Sequence, residues 1–132
     1  MRIESTGSGD AARSLALLWR SSETSAARRG PRPSLDVDRI VTAASRVADA
    51  EGLRAVTMRR VAGELGVPAM TLYGHVPGKG ELVDLMLDAA LGELYPDDQP
   101  TTGNWRARVE SVARANRQLL LRHPWVVALG PP

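Results

Sequence analysis

The sequence predicts an all-α protein: a three-helix bundle of the helix-turn-helix type with a fourth, connecting helix behind it. Three observations predict this. Apolar residues recur every three or four positions over residues 35–95, the period that lines one side of a helix. Helix-starting and helix-stopping residues, Asp36, Gly52, Thr57 and Gly66, stand where that period breaks. Residues 57–79, TMRRVAGELGVPAMTLYGHVPGK, read as two short helices joined by a tight turn, with a hydroxyl, a phenol, an imidazole and a lysine gathered on and after the second.

A chain of 132 residues holds one domain and the beginning of another. With 43% hydrophobic and 24% charged residues the composition is that of a globular protein, and no apolar run reaches the roughly 18 residues a membrane span needs. No cysteine is present, which removes disulfides, thiolate nucleophiles and cysteine-zinc sites and suits a reducing cytoplasm. The opening MRIESTGSGD lacks the charged-then-apolar pattern of a secretory signal, so a cytoplasmic location is expected. The net charge of +2 hides an asymmetry. Residues 1–34 carry six bases against three acids, residues 35–95 six against nine, and residues 96–132 five against three. Contact with phosphate must therefore come from a local patch.

Residues 1–9 are small and polar and are expected to be disordered. Asp10 caps a short helix near residues 10–20, with Ala11, Leu15, Leu18 and Trp19 on one face. The rest of residues 1–34 reads as a flexible basic arm. Its Arg28, Arg29 and Arg32 either reach a DNA minor groove or belong to a solvated linker.

The first core helix starts at Asp36 or Asp38, buries Val37, Ile40, Val41, Ala44, Val47 and Ala48, and stops at Gly52. Leu53 and Val56 form an apolar connector, and the Thr57 hydroxyl caps the next helix, roughly residues 58–65, which buries Val61, Ala62 and Leu65. Ala62 is small enough for close helix approach and Gly66 tolerates the positive φ of the turn. Val67 plugs the corner and Pro68 opens a helix over residues 69–76, anchored by Leu72 and Val76. After the Pro77-Gly78 turn, Lys79 begins a helix running to about residue 95. Leu82, Met86 and Ala89 lie on one side of it and Val83, Leu87 and Ala90 on the other, so it is expected to be buried from both. Residues 96–100 are a linker. Thr102 or Asn104 caps a last helix with the stripe Trp105, Val109, Val112, Ala113, Asn116, Leu119 and Leu120, which His123-Pro124 breaks. Trp105 and Trp125 read as core residues, while Asn116, the one polar residue in the stripe, faces either a pocket or a helix partner.

Residues 35–95 resemble the DNA-binding domain of the tetracycline-repressor (TetR) family of bacterial transcription regulators. The resemblance is carried by Thr57, Arg59, Ala62, Leu65, Gly66 and Val67, by the TLYGHV run of residues 71–76, and by Lys79 and Leu82-Val83. Residues 101–132 are similar to the opening of that family's ligand-binding and dimerisation domain, beginning WR and reaching LLLRHPW. The resemblance implies a sequence-specific DNA-binding regulator, in most members a repressor. Such proteins act as homodimers on palindromic double-stranded operator DNA and are relieved by a small-molecule effector. The family's dimerising helices come later than these residues, so the chain is expected to be a truncated form, monomeric or weakly self-associating.

The candidate DNA-binding residues are Thr57, Arg59, Ala69, Met70, Thr71, Tyr73, Gly74, His75 and Lys79. Tyr73 either donates to a phosphate or is a half-buried core tyrosine; His75 either touches the backbone or is satisfied locally. Lys79 pairs a charge with the free amides of a helix amino terminus, an arrangement suited to a phosphate, though a solvated lysine is the alternative. Thr57 and Arg59 can reach backbone, or for Arg59 a guanine edge; otherwise they are a solvated helix face. Ala69, Met70 and Gly74 offer shape and thymine-methyl contact but few hydrogen bonds, so shape readout is expected to matter. No nucleophile and base pair, carboxylate pair or complete phosphate loop marks an enzyme, and no motif implies a cofactor or metal. A helical protein-interaction module that does not bind DNA is the alternative function.

Overall fold

The computed structural model describes residues 5–22, 35–94 and 104–130. Six helices follow in order: α1 Ala11–Leu18, α2 Val37–Glu51, α3 Met58–Leu65, α4 Ala69–Tyr73, α5 Lys79–Gly92 and α6 Trp105–Arg122. Short 3-10 turns follow α1 at Trp19–Ser22, α2 at Leu53–Ala55 and α6 at Pro124–Ala128. Among the described residues the sole strand-like contact is one bridge between Ser5 and Gly130. The basic cluster Arg28, Arg29 and Arg32, the helix end at Tyr95 and the candidate cap Thr102 lie outside the described residues.

The core forms where α2, α3, α4 and α5 meet. Ile40, Val61, Leu72, Val76, Leu82 and Met86 are fully buried there. Burying one such side chain is worth about 1.5 to 3 kcal/mol, so these six alone outweigh any surface ion pair in the molecule. The caps hold the helices in register: Asp36 accepts from the Arg39 amide at 2.8 Å, Thr57 from the Arg60 amide at 3.0 Å, and Asn104 from the Ala107 amide at 3.0 Å. Asp36 and Asn104, each one of two candidate caps from the sequence, are therefore the ones used.

Three elements differ from the sequence reading. The expected disorder of residues 1–9 does not extend to residues 5–9, which lie on α5, where the Gly7 amide donates to Asp84 and the Asp10 amide to Glu81. Of the apolar face expected on α1, Leu18 alone packs against the core. Ser14 is buried and Leu17 and Leu18 are half-buried, while Leu15 and Trp19 (70% exposed) face solvent. The reason is polar: the Ser14 hydroxyl donates to Asp84 at 3.0 Å, which selects the face that docks. Finally, of the apolar stripe expected on α6 only Leu119 is buried, and Trp105, expected in the core, is 64% exposed with the Arg106 guanidinium 5.1 Å from its ring centre. Asn116 is exposed and donates to the Val112 carbonyl of its own helix. Only the carboxyl end of α6 is tied to the bundle.

That tie is polar and centred on His123, which is buried. Its Nδ1 lies 2.8 Å from Asp49 Oδ1 on α2 and its Nε2 lies 3.2 Å from Glu93 Oε1 beyond the end of α5. The buried Trp125 donates its indole N–H to the same Asp49 oxygen at 2.8 Å, and Arg122 donates to the other Glu93 oxygen. The Arg122 hydrogen bond holds the Glu93 carboxyl below its ordinary value of 4.5, with burial opposing and the His123 contact assisting. Because the folded value is depressed, the stabilisation is complete above the ordinary value and is lost as pH falls through the folded one. Glu93 is 40% exposed, so the effect is small and salt-screened. Urea titrations across this acid range are expected to show a shallower loss of stability for Arg122→Ala than for the parent; equal acid slopes would remove Arg122 as the cause.

Candidate nucleic-acid interface

The second and third core helices owe their mutual placement to the three-residue corner Gly66-Val67-Pro68. α3 ends at Gly66, whose φ of 67° and ψ of 31° are left-handed. Nothing lies within 4 Å of where a Cβ would stand on Gly66, so the backbone angle and not crowding demands glycine there. The Val67 amide turns back to the Ala62 carbonyl at 3.0 Å, and Pro68 supplies the extended residue that starts α4. α4 is shorter than the expected 69–76. The carbonyl of Leu72 accepts from both His75 and Val76 amides, at 2.9 and 2.8 Å, and Pro77 disfavours a helical residue before it.

Leu72 is 0% exposed, as is Val76. Between and around these anchors α4 turns its other side outward: Met70 is 77% exposed, Tyr73 46%, and Thr71 and Gly74 are also exposed. Ala69 and His75 are half-buried at the margins. Lys79 is half-buried at the first position of α5, beyond the Pro77-Gly78 turn. The structure therefore groups Met70, Thr71 and Tyr73 on one presented helix and Gly74 at its end, with Lys79 at the start of the next.

Two arginines of α3 separate by partner. Arg60 donates to Glu51 at 2.7 Å and to Glu64 at 3.0 Å, bonds that push its guanidinium further above its ordinary range, Glu51 contributing most. It is committed to the bundle. Arg59 is exposed, and among the described residues no carboxylate pairs with it, so its fork of donors stays available to a phosphate or a guanine edge. Thr57 uses its oxygen as the α3 cap yet retains its hydroxyl proton, which can still be donated outward.

One residue at this end of the molecule escaped the sequence reading. Glu81, in the first turn of α5, is 7% exposed and accepts from the Asp10 amide at 2.8 Å. A carboxylate three residues after Gly78 is the spacing of a capping box, and that signal was present in the sequence. Among the described residues no cluster of histidine and carboxylate is arranged to hold a metal, and no helix is long and apolar enough to cross a membrane.

A short presented helix locked by a left-handed glycine corner onto a second helix, with a lysine at the next helix start, defines a helix-turn-helix protein. Residues 40–86 match the family model described as bacterial regulatory proteins, tetR family, and the chain belongs to that family. It is 50% identical over 130 residues to the HTH-type transcriptional repressor DrrR1 of Streptomyces coeruleorubidus, covering 96% of this chain and 46% of the relative. It is 31% identical over 90 residues to the class E tetracycline repressor of Escherichia coli, covering 67% of this chain and 43% of that protein. Among solved structures, Streptomyces coelicolor ActR in complex with actinorhodin superimposes with a TM-score of 0.61 at 40% identity, over 70% of this chain and 43% of ActR. BioQ with its double-stranded DNA operator superimposes with a TM-score of 0.61 at 32% identity, over 72% of this chain and 57% of BioQ. The chain thus spans about half the length of the curated relatives it matches.

Proposed function

We propose that the chain reads duplex DNA in transcriptional control, with α4 in the major groove and the amino end of α5 on the phosphate backbone. The observation that carries this reading is the division of α4: Leu72 is fully buried, and Met70, Thr71, Tyr73 and Gly74 are presented outward beside Lys79. Thr71 and Arg59 supply the polar contacts to base edges or phosphate, Met70 and Ala69 the apolar contact with thymine methyls, and Tyr73, His75 and Lys79 the grip on the backbone. With so few hydrogen-bonding groups on α4, DNA shape carries part of the specificity.

The relatives favour repression of a palindromic operator, since DrrR1 is named a repressor and BioQ was solved on its operator. ActR was solved with small molecules, which favours residues 101–132 as the opening of an effector-binding and dimerisation domain. A regulator of this kind works in the cytoplasm, beside the DNA, and catalyses nothing.

Binding to duplex DNA is expected to weaken linearly on logarithmic axes as salt rises, and Lys79→Ala to reduce the slope by about one. Fluorescence anisotropy with mixed-sequence duplex across a salt series makes the measurement. A flat salt response, or a Tyr73→Ala/Lys79→Ala double variant that binds like the parent, would exclude the reading.

A further inference from the structure

The chain has four methionines and no cysteine, so thioether sulfurs are its most readily oxidised atoms and no thiol competes with them. Three of the four lie among the described residues, and the bundle seals two of these: Met58 is 6% exposed and Met86 0%. Met70 is 77% exposed, more than any other large apolar side chain described. It stands in the first turn of α4, on the side presented with Thr71 and Tyr73. Solvent, and anything dissolved in it, reaches its sulfur.

A hydroperoxide passes one oxygen atom to such a sulfur. A sulfur lone pair attacks the terminal peroxide oxygen, the O–O bond breaks and an S–O bond forms. The departing oxygen takes the proton of the transferred hydroxyl and leaves as an alcohol, or as water when the reagent is hydrogen peroxide. The sulfur is oxidised and the peroxide reduced, and the product sulfoxide is polar, chiral and an acceptor with no proton to donate. Methionine sulfoxide reductases reverse the step, one enzyme for each epimer.

The consequence depends on what Met70 faces. Against a thymine methyl the new oxygen is desolvated without a partner, and against a purine N7 or O6 it meets another acceptor. The helix itself keeps its seat, because Leu72 and Val76, which anchor it, stay buried and have no oxidisable atom. The change thus falls on base reading and spares the contacts to phosphate.

We propose that the Met70 thioether is a reversible oxidation site through which hydroperoxides weaken sequence-specific DNA binding. The proposal rests on the DNA-reading function given to α4 above.

Duplexes enriched from a random-sequence pool by the untreated full chain serve as the probe, with mixed-sequence duplex beside them. After dilute hydrogen peroxide, peptide mass mapping is expected to find one added oxygen on Met70 while Met58 and Met86 remain thioethers, with helical circular dichroism unchanged. Affinity for the enriched duplex is expected to fall about tenfold, the scale of one polar group buried without a partner. Affinity for mixed-sequence duplex is expected to change little, and treatment with both reductases to restore the enriched-duplex affinity. Met70→Leu, whatever its own starting affinity, is expected to bind alike before and after peroxide, which separates Met70 from Met1. Oxidation of Met58 or Met86 as fast as Met70, an oxidised chain that binds the enriched duplex like the untreated one, or a Met70→Leu chain that loses as much on treatment as the parent would each overturn the oxidation site. An untreated chain that enriches no sequence would overturn the proposal by itself. One that also fails to bind mixed-sequence duplex would overturn the DNA-reading function with it.

Discussion

Leu72→Ala is expected to destabilise the bundle by about 3 to 4 kcal/mol, the largest effect of any single substitution on α4. Leu72 is fully buried and is the only buried side chain of a five-residue helix. A helix this short has no stability of its own in water, so its existence depends on that one anchor and on Val76 just beyond it. Truncation removes three carbons from the core and leaves a cavity beneath α4, whose approach the left-handed corner at Gly66 restrains. Small domains have only about 5 to 15 kcal/mol in total, so the variant is expected to unfold at a much lower urea concentration, followed by circular dichroism. Met70→Ala, on the same helix but 77% exposed, is expected to stay within about 0.5 kcal/mol of the parent. Equal losses for the two would mean that α4 is not held by its Leu72 face.

The contrast between those two residues also explains what was legible in the sequence. Bundle residues announced themselves because burial is periodic: Ile40, Val47, Val61, Leu72 and Val76 stand at helical spacing, and all are buried. The α3 boundaries, Thr57 as its cap and Gly66 as its stop, were readable because each role admits few residue types. Of the candidate interface residues, Thr57, Arg59, Met70, Thr71, Tyr73 and Gly74 are exposed, while Ala69, His75 and Lys79 are half-buried. Elsewhere the pattern misled, because periodicity states that a face is apolar and not that anything covers it. The stripe on α6 has the same spacing as that on α2, yet only Leu119 of it is buried. On α1 a single hydroxyl, Ser14, decided which side docks, and a one-residue polar contact across 70 positions leaves no periodic trace. The docking of residues 5–9 on α5 leaves no trace for the same reason: Gly7, Ser8 and Gly9 have the composition of a disordered terminus, and only their contacts with Gly80, Glu81 and Asp84 order them.

Asp49→Ala is expected to cost about 2 to 3 kcal/mol, although Asp49 lies at the surface. One of its oxygens serves two buried groups, accepting from the Trp125 indole N–H at 2.8 Å and lying 2.8 Å from His123 Nδ1. Trp125 and His123 are 3% and 7% exposed, so water reaches neither easily once the carboxylate is gone. Each deserted polar group carries a desolvation penalty of about 1 to 3 kcal/mol, and partial access at the Asp49 position, whose side chain is 33% exposed, reduces the sum. The loss concerns more than stability, since this cluster joins the carboxyl end of α6 to α2 and α5. Local release is therefore expected at residues 119–126 before the bundle itself opens, visible as faster amide exchange there than at Val61 or Leu72. Asp49→Asn keeps a carbonyl oxygen for the indole and is expected to lose about half as much. An alanine variant with parental urea midpoint and parental exchange over residues 119–126 would show that the Asp49 oxygen does not carry the joint.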